Sequence, residues 1–387
     1  MARTFRTRGA RGLATGSAAA LVLLGCPQAA TAAASTNSAD LATSSEAVNY
    51  RIPALTVTNS GTVLAAYDRR NDGPQDLPGN IDTMVRRSTD SGATWTDPSA
   101  AVDHPAPQGC GDPSLLTDRD TGQVHLFCTF SHGQVGFPDS EPGSADSTDP
   151  RTVHVRHLTG DDDGRTWSAP TDLNEQVKDP AWAGVFASSG HGAQTSDGRL
   201  LQPAVVRDSG GANHSVNLYS DDHGKTWQAG KLLDAGTDEN KAVPLSDGRV
   251  VQNSRGVDGG RRLLSTSEDG GRQFGSPAPI RGLPDPGVNA DEIRVDPRKD
   301  DSRLLFSNPA DAQQRKKLTL RISCDNGASW GGSSVLHPGP AGYSAMAMLP
   351  NGRVGVLAEH GDDAPTGKLT FSSVPLAEIG TCPNAAP

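Results

Sequence analysis

The chain of 387 residues contains 44 glycines and 28 prolines, has 4% aromatic residues, and carries a formal net charge of −10. The negative charge argues against a nucleic-acid-binding protein. Outside the N-terminus no apolar run is long enough to cross a membrane as a helix. The many glycines and prolines favour short strands with frequent turns, and a large all-β fold of this length can form one domain.

Residues 1–34 have the pattern of an export signal, with four arginines, an apolar stretch from Leu13 to Gly25, and small residues as far as Ala34. Two processing sites are open. Cleavage before Cys26 would leave a lipid-anchored protein, and cleavage among the alanines near Ala34 would release a free one. Both predict a secreted protein. Residues 35–47, rich in Ser, Ala and Thr, are expected to be a disordered lead-in to a folded domain over 48–387.

Export makes disulfides an expected feature of the folded domain, which has four cysteines besides Cys26. We favour sequential pairing. Cys110–Cys128 would join neighbouring strands, and Cys324–Cys382 would tie the C-terminal tail to the last repeat. Buried free thiols are the alternative.

A turn motif of the form Ser-x-Asp-x-Gly-x-Thr-Trp, here called the Asp box, occurs five times. Asp and Ser side chains bond backbone groups of their own turn, Gly supplies a positive φ, and the aromatic residue covers apolar surface. Recurrence at blade-like intervals predicts a six-bladed β-propeller with Asp-box turns, seven blades being the alternative. The copies are Ser88–Trp95, Gly160–Trp167, Ser220–Trp227, Ser267–Phe274 and Ser323–Trp330.

Tyr50-Arg-Ile-Pro53 followed by repeated Asp boxes resembles the bacterial exo-sialidases, over residues 49–382. The resemblance implies three arginines that bind the carboxylate of sialic acid. By position they are Arg51, Arg255 and Arg321. Arginine suits this task because its planar fork forms two parallel hydrogen bonds with a carboxylate.

The same resemblance implies a tyrosine nucleophile, Tyr343, and Glu239 as the base that takes its proton. A base is needed because a free phenol titrates near pH ~10. The general acid is expected in the loop after the first hairpin. Asp76 matches the family position, with Asp82 as the alternative.

Two further acids have matches in the family. Glu359 corresponds to a glutamate that holds the first arginine in place. Asp112 corresponds to an aspartate that faces the N-acetyl amide, although an Asp-Pro pair also starts ordinary turns. The histidines lack metal-ligand spacing, and neither a metal nor a cofactor is expected.

The sequence therefore predicts a retaining exo-α-sialidase acting through a sialyl-tyrosine intermediate. Its partners would be sialylated glycoproteins, glycolipids or oligosaccharides, without nucleic acid, and it would act as a monomer. A trans-sialidase or a hydrolase of a related nonulosonic acid would use the same residues. A sialoglycan-binding propeller without activity is the alternative from another class, and it would have no need of a nucleophile and base.

Overall fold

A computed structural model describes Met1, Thr4 and residues 36–382. The predicted export signal lies outside the described residues except for Met1 and Thr4. No helix in the described part of the chain is long and apolar enough to span a membrane.

The described chain forms six antiparallel blades, which confirms the predicted six-bladed propeller. The first strand, β1 (Asn37–Thr43), belongs to the last blade. The first blade contains β2 (Asn49–Val57), β3 (Val63–Arg70), β4 (Ile81–Ser88) and β5 (Ser99–Val102). The second contains β6 (Gly109–Thr117), β7 (Val124–Ser131), β8 (His154–Gly160) and β9 (Thr171–Asp172). The third contains β10 (Gly184–Ala187), β12 (Ala193–Gln194), β13 (Leu200–Arg207), β14 (Asn213–Ser220) and β15 (Gln228–Ala229), and β11 (Gly190–His191) lies between its first two strands in sequence. Strand β11 pairs in parallel with β6, so it joins the second blade.

The last two blades share one long strand, β23. Its residues 332–340 pair with β22, and its residues 341–348 pair with β24. The fourth blade contains β16 (Thr237–Pro244), β17 (Val250–Gly256), β18 (Arg262–Ser267) and β19 (Ala278–Pro279). The fifth contains β20 (Asp291–Arg294), β21 (Leu304–Pro309), β22 (Lys316–Ser323) and the first part of β23 (Gly332–Met348). The sixth contains the second part of β23 with β24 (Val354–His360), β25 (Lys368–Val374) and β1. A 3₁₀ turn (Phe137–Asp139) and two short helices, α1 (Asn174–Val177) and α2 (Leu376–Ile379), complete the described elements.

The expected disorder of residues 35–47 is wrong for residues 37–43. These residues form β1, which pairs with β25 from Asn37–Ser373 to Thr43–Lys368. The composition of this segment was misleading, because a polar strand at the edge of a sheet has the composition of a linker and its pairing partner is distant in sequence. Leu41 is buried against the first and last blades, so the N-terminal strand closes the ring of blades.

The five Asp boxes form the predicted turns. In the first, the Asp90 carboxylate accepts bonds from Ser88 Oγ at 2.7 Å, from the Thr94 amide at 2.8 Å and from Thr94 Oγ1 at 2.6 Å. These bonds lower the pKa of Asp90 to about 2. Gly92 has a φ of 88°, as the turn requires. Each box lies between the third and outermost strands of its blade, or at the equivalent end of β22.

Four innermost strands contain β-bulges near the start of their innermost segment, which in β23 is residues 341–348. In each bulge two residues lie opposite one on the next strand. The bulged pairs are residues 52–53 in β2, 112–113 in β6, 238–239 in β16 and 342–343 in β23. Ile52 and Asp112 have positive φ values of 58° and 57°, and each precedes a proline, which has no ladder donor to lose. The bulges turn side chains out of the sheets at one end of the ring.

The predicted disulfides are confirmed. Cys110 in β6 is bonded to Cys128 in β7, and Cys324 after β22 is bonded to Cys382. The first joins neighbouring strands, and the second ties the tail to the fifth blade.

The apolar core lies mainly between neighbouring blades. Trp227, from the third Asp box, is 2% exposed and packs edge-on against Phe127 of the second blade, with ring centroids 5.1 Å apart. It also contacts the rings of His125 and His157. Its aromatic anchor therefore joins two blades.

Replacing Trp227 with alanine should lower the free energy of unfolding by about 3–5 kcal/mol, because it removes a fully buried aromatic side chain. Trp167 occupies the same position in the second Asp box but is only half-buried, so Trp167→Ala should cost less. Denaturant titration of both variants provides the measurement. Equal losses of unfolding free energy would show that the Asp boxes stabilise the fold through their turns and not through the burial of their aromatic residues.

Candidate active site

Tyr343 and Glu239 meet at the bulged end of the ring. The Tyr343 hydroxyl donates to Glu239 Oε2 at 2.6 Å. Arg255 Nη1 donates to the same carboxylate oxygen at 2.8 Å and to the tyrosine oxygen at 3.2 Å. Arg255 lies opposite the bulge that contains Glu239, so the pairing register itself places this cation beside the acid.

Glu359 connects the first and last blades. Its side chain is fully buried. It accepts Arg51 Nε at 3.2 Å, the Ile52 amide at 2.8 Å and the Tyr343 amide at 3.0 Å. A Cβ on Gly342 would lie 2.1 Å from Glu359 Oε2, so only glycine fits next to Tyr343. The predicted contact between Glu359 and Arg51 is present.

The third arginine at this cluster is Arg315. Its guanidinium lies 5.6 Å from the centre of the Tyr343 ring, the same distance as that of Arg51. The predicted third arginine, Arg321, lies six residues further along β22. It donates to Asn308 Oδ1 at 3.1 Å, and burial lowers its pKa. The structure therefore does not bring the predicted Arg321 into the cluster with Arg51 and Arg255, and it brings Arg315 there instead.

Arg315 gave no local signal in the sequence. It begins the basic run Arg315-Lys-Lys317, which resembles a solvated turn. Arg321 precedes an Asp box on a β-prone run and fitted the motif better. Only the pairing of β22 with β23 shows that the start of β22, rather than its end, lies near Tyr343.

Burial and charge act in opposite directions on the central pair. Burial raises the pKa of Tyr343 well above its usual range, and the charge of Glu239 adds to this effect, while Arg255, Arg315 and Arg51 lower it. Burial also raises the pKa of Glu239, against the effect of Arg255. In the described part of the chain, Arg255 Nε is buried without a hydrogen-bond partner. An anionic ligand would supply one.

Asp76 lies at the edge of the cluster in the loop between β3 and β4. Its side chain is 73% exposed, and its Oδ1 lies 2.7 Å from Arg70 Nη2 and 3.5 Å from Arg51 Nη1. The alternative, Asp82, is 4% exposed and accepts Asn71 Nδ2 at 2.8 Å. Only Asp76 combines exposure with contact to the cluster.

Neighbouring loops pack closely on the Asp76 loop. A Cβ on Gly136 would lie 2.3 Å from the Leu77 carbonyl oxygen, and one on Gly109 would lie 2.4 Å from the Gly79 oxygen. The second blade therefore limits where the loop can move.

Asp68 and Arg70, which the sequence analysis missed, support the same region. Arg70 is 1% exposed and its Nη2 lies 2.9 Å from Asp68 Oδ2, so it bridges Asp68 to Asp76. Asp68 Oδ1 accepts the Asp112 amide at 2.9 Å. Burial raises the pKa of Asp68 to about 6. The pKa of Asp112 is raised by burial, then by Asp68 and Asp76, which places Asp112 among the carboxylates of this end.

Asp118, Asp120 and His223 form the one group of possible metal ligands in the described residues. They lie away from the cluster, in the loop after β6 and the third Asp box. Asp118 already accepts bonds from the Asp120 amide, Thr121, Gln194 and His223. The group is explained by its internal hydrogen bonds.

The cluster places a buried phenol against a carboxylate, surrounds both with three guanidinium groups, and leaves an exposed acid at the rim. It can bind an anion, activate an oxygen nucleophile and donate a proton.

The chain belongs to the BNR repeat-like domain family, which matches residues 61–356. It is 43% identical over 345 residues to a sialidase of Micromonospora viridifaciens, covering 86% of this chain and 52% of that protein. It is 33% identical over 347 residues to a sialidase of Bacteroides fragilis, covering 85% and 62%. Among solved structures, the Hadza microbial sialidase Hz136 matches with a TM-score of 0.79 at 33% identity, covering 86% of this chain and 66% of that one. The chain thus spans about half to two thirds of the length of these relatives.

Replacing Glu359 with glutamine should lower the free energy of unfolding by about 3–5 kcal/mol, because it removes the buried carboxylate partner of Arg51 and leaves only the exposed Asp76, 3.5 Å away. The matched control is Asp149→Asn, which removes the carboxylate of a pair with the half-exposed Arg151 and should cost about 1 kcal/mol or less. Denaturant titration measures both. Similar losses would contradict the structural role assigned to Glu359.

Proposed function

We propose that this protein is an exo-α-sialidase that removes terminal sialic acid from glycoconjugates with retention of configuration. The observation that carries the proposal is the 2.6 Å hydrogen bond from Tyr343 to Glu239 within a group of three arginines. The similarity to sialidases supports it independently.

The arginines bind the substrate carboxylate. Arg51 and Arg255 are held by Glu359 and Glu239, respectively, so their guanidinium groups are fixed before substrate arrives. Such preorganisation reduces the entropy lost on binding. Arg315 completes the set, with its guanidinium 5.6 Å from the centre of the Tyr343 ring. Asp112 faces the N-acetyl amide in this proposal.

In the first step the Tyr343 oxygen attacks the anomeric carbon, C2, and Glu239 takes the phenol proton. Asp76 donates its proton to the glycosidic oxygen as the C2–O bond breaks. A neutral phenol avoids the repulsion that a carboxylate nucleophile would meet from the anionic sugar, and a tyrosine nucleophile is a known exception among glycosidases.

In the second step water attacks C2 while Asp76 takes its proton. The bond between C2 and the tyrosine oxygen breaks, and Glu239 returns the proton to Tyr343. Two displacements at one carbon retain the configuration. The proposal includes export, on the basis of residues 1–34, and action by the single chain, because every residue in the scheme comes from one ring of blades.

Hydrolysis of two substrates by Tyr343→Phe and Asp76→Ala tests the mechanism. Tyr343→Phe should lose turnover of both 3′-sialyllactose and an aryl α-sialoside. Asp76→Ala should lose at least about 100-fold on sialyllactose, whose leaving group needs protonation, and much less on the aryl substrate. A wild-type protein that bound sialic acid without hydrolysing either substrate would overturn the enzyme proposal in favour of a binding propeller.

Arg315→Gln should raise KM for the aryl sialoside by about tenfold or more, because it removes charge-assisted hydrogen bonds to the carboxylate. Arg321→Gln makes the same chemical change in the same strand region and should leave KM within about twofold. Steady-state kinetics of the pair separates them. A larger effect from Arg321→Gln would restore the sequence-based assignment.

The acid limb of the pH profile should report Glu239. Its pKa is raised by burial, so kcat/KM should fall as pH decreases through a midpoint above the usual glutamate value, because protonated Glu239 cannot accept the phenol proton. Arg255 lowers this pKa, so Arg255→Gln should move the midpoint up by about one pH unit. Arg321→Gln should leave it in place. An unchanged midpoint in Arg255→Gln would assign the acid limb to another group.

A further inference from the structure

The other end of the ring contains a large cavity, here called the basal cavity. It has a volume of about 830 Å³ and is lined by the C-terminal ends of the innermost strands and the turns that follow them, including Thr56–Gly61, Ala242–Pro244 and Met346–Pro350. The active-site cluster occupies the N-terminal ends of the same strands. Seven residues separate Arg51 from Thr58, so at the rise of an extended strand the two sites are about 20 Å apart.

Buried polar side chains lie between the two sites. Lys241 is 1% exposed, and its Nζ donates to Asn289 Oδ1 at 2.7 Å and to the Ser189 carbonyl at 2.8 Å. Asp291 accepts the Met346 amide and lies 2.8 Å from His191 Nε2. These groups bond to one another across blades, so the basal cavity is distinct from the active site.

The charge of the basal cavity is opposite to that of the whole chain. Its lining includes four basic residues, Arg119, Arg294, Arg298 and Lys299, and two acidic ones, Glu292 and Asp296, whereas the chain has a net charge of −10. Lys299 pairs with Asp296 at 3.1 Å. Burial raises the pKa of Glu292 to about 7, which reduces its negative charge at neutral pH. The lining therefore carries more positive than negative charge, and the positive charge comes from three guanidinium groups.

Asn59 joins the segments of Arg298 and Arg119, since it accepts from Arg298 Nη2 at 3.3 Å and donates to the Arg119 carbonyl at 2.9 Å. The pKa of Arg119 is lowered by burial and then by Arg298, with Arg294 contributing, and this outweighs the opposite effect of Asp120 and Asp118. Gathering like charges in a concave site is unfavourable unless a counter-charge is bound there. The arrangement thus indicates an anionic ligand.

Hydrogen bonds hold the three arginines in position, to backbone carbonyls for Arg119 and Arg294 and to a side chain for Arg298. Arg119 Nη2 donates to the carbonyl oxygens of Gln194 and Thr195. Arg294 Nε donates to the Asp301 oxygen, and Arg298 Nη2 donates to Asn59 Oδ1 at 3.3 Å. Asn59 in turn donates to the Arg119 carbonyl at 2.9 Å. The turns of the first, second and fifth blades are therefore linked around the opening, while further N–H groups of each fork remain for a ligand.

We propose that the basal cavity binds a small molecule with at least two oxyanion groups, either phosphates or carboxylates. Guanidinium forks bind both groups through paired hydrogen bonds. The volume lies within the range of small-molecule sites. The proposal does not depend on sialidase activity, because binding is measured directly.

Calorimetric titration of the full chain tests the proposal, with pyrophosphate and citrate as the two probes and acetate as the single-charge control. The Arg315→Gln background reduces anion binding at the active site. Pyrophosphate or citrate should bind at one site, acetate should bind far more weakly, and the affinity should fall as sodium chloride increases. The probe that binds more tightly identifies the oxyanion.

Variants in this background locate the site. Arg298→Gln and Arg119→Gln should each weaken binding by about tenfold or more. Lys299→Gln should also weaken it, because the change leaves the negative charge of Asp296 unpaired in the lining, and it should leave the fold intact because the Lys299 side chain is 78% exposed. Arg151→Gln, an exposed charge outside the cavity lining, should have no effect. The proposal is overturned if neither probe binds, if binding survives Arg298→Gln and Lys299→Gln, or if Arg151→Gln weakens it equally.

Discussion

The buried carboxylate of Glu359 is the interaction on which the site depends. It accepts backbone amides from Ile52 in the first blade and Tyr343 in the last, and it pairs with Arg51. A buried carboxylate is costly unless donors surround it, and here the donors come from two strands that meet only when the ring is closed. Closure of the propeller and assembly of the site are therefore one event. The N-terminal strand β1 reinforces this closure from the outer edge of the same blade.

The bulges explain how blades built from regular strands can direct functional side chains into the active site. A regular strand directs alternate side chains to its two faces, which in a propeller lie against neighbouring blades. A two-residue bulge changes this direction locally. Ile52 and Asp112 adopt positive φ values there, a conformation that is uncommon for residues other than glycine and especially unfavourable for the β-branched Ile52. The cost is offset by defined contacts, since the Ile52 amide donates to Glu359 and the Asp112 amide to Asp68.

The repeated Asp boxes made the fold predictable, because their hydrogen bonds form within eight residues and need no distant partner. The strands that lead directly into the boxes, such as β14 and β18, can also be recognised locally, because each is a β-prone run that ends at a box. The innermost strands were harder. Strands β6 and β16 are examples, because their bulges interrupt the alternation of side chains. Glu239 and Asp112 were found by motif resemblance, whereas Arg315, Arg70 and Asp68 have no motif and depend on register across strands.

Arg321 and Arg315 show why register matters for a charged site. Both are in or next to β22, and both are arginines near a strand end. A residue at the box end of the strand faces Asn308, while one at the opposite end faces Tyr343. The end of the strand at which an arginine lies therefore decides what it contacts. Cations lie at both ends of the ring, around Tyr343 at one end and around the basal cavity at the other. Because the innermost strands run in the same direction through the ring, each end is built from the same structural position in successive blades.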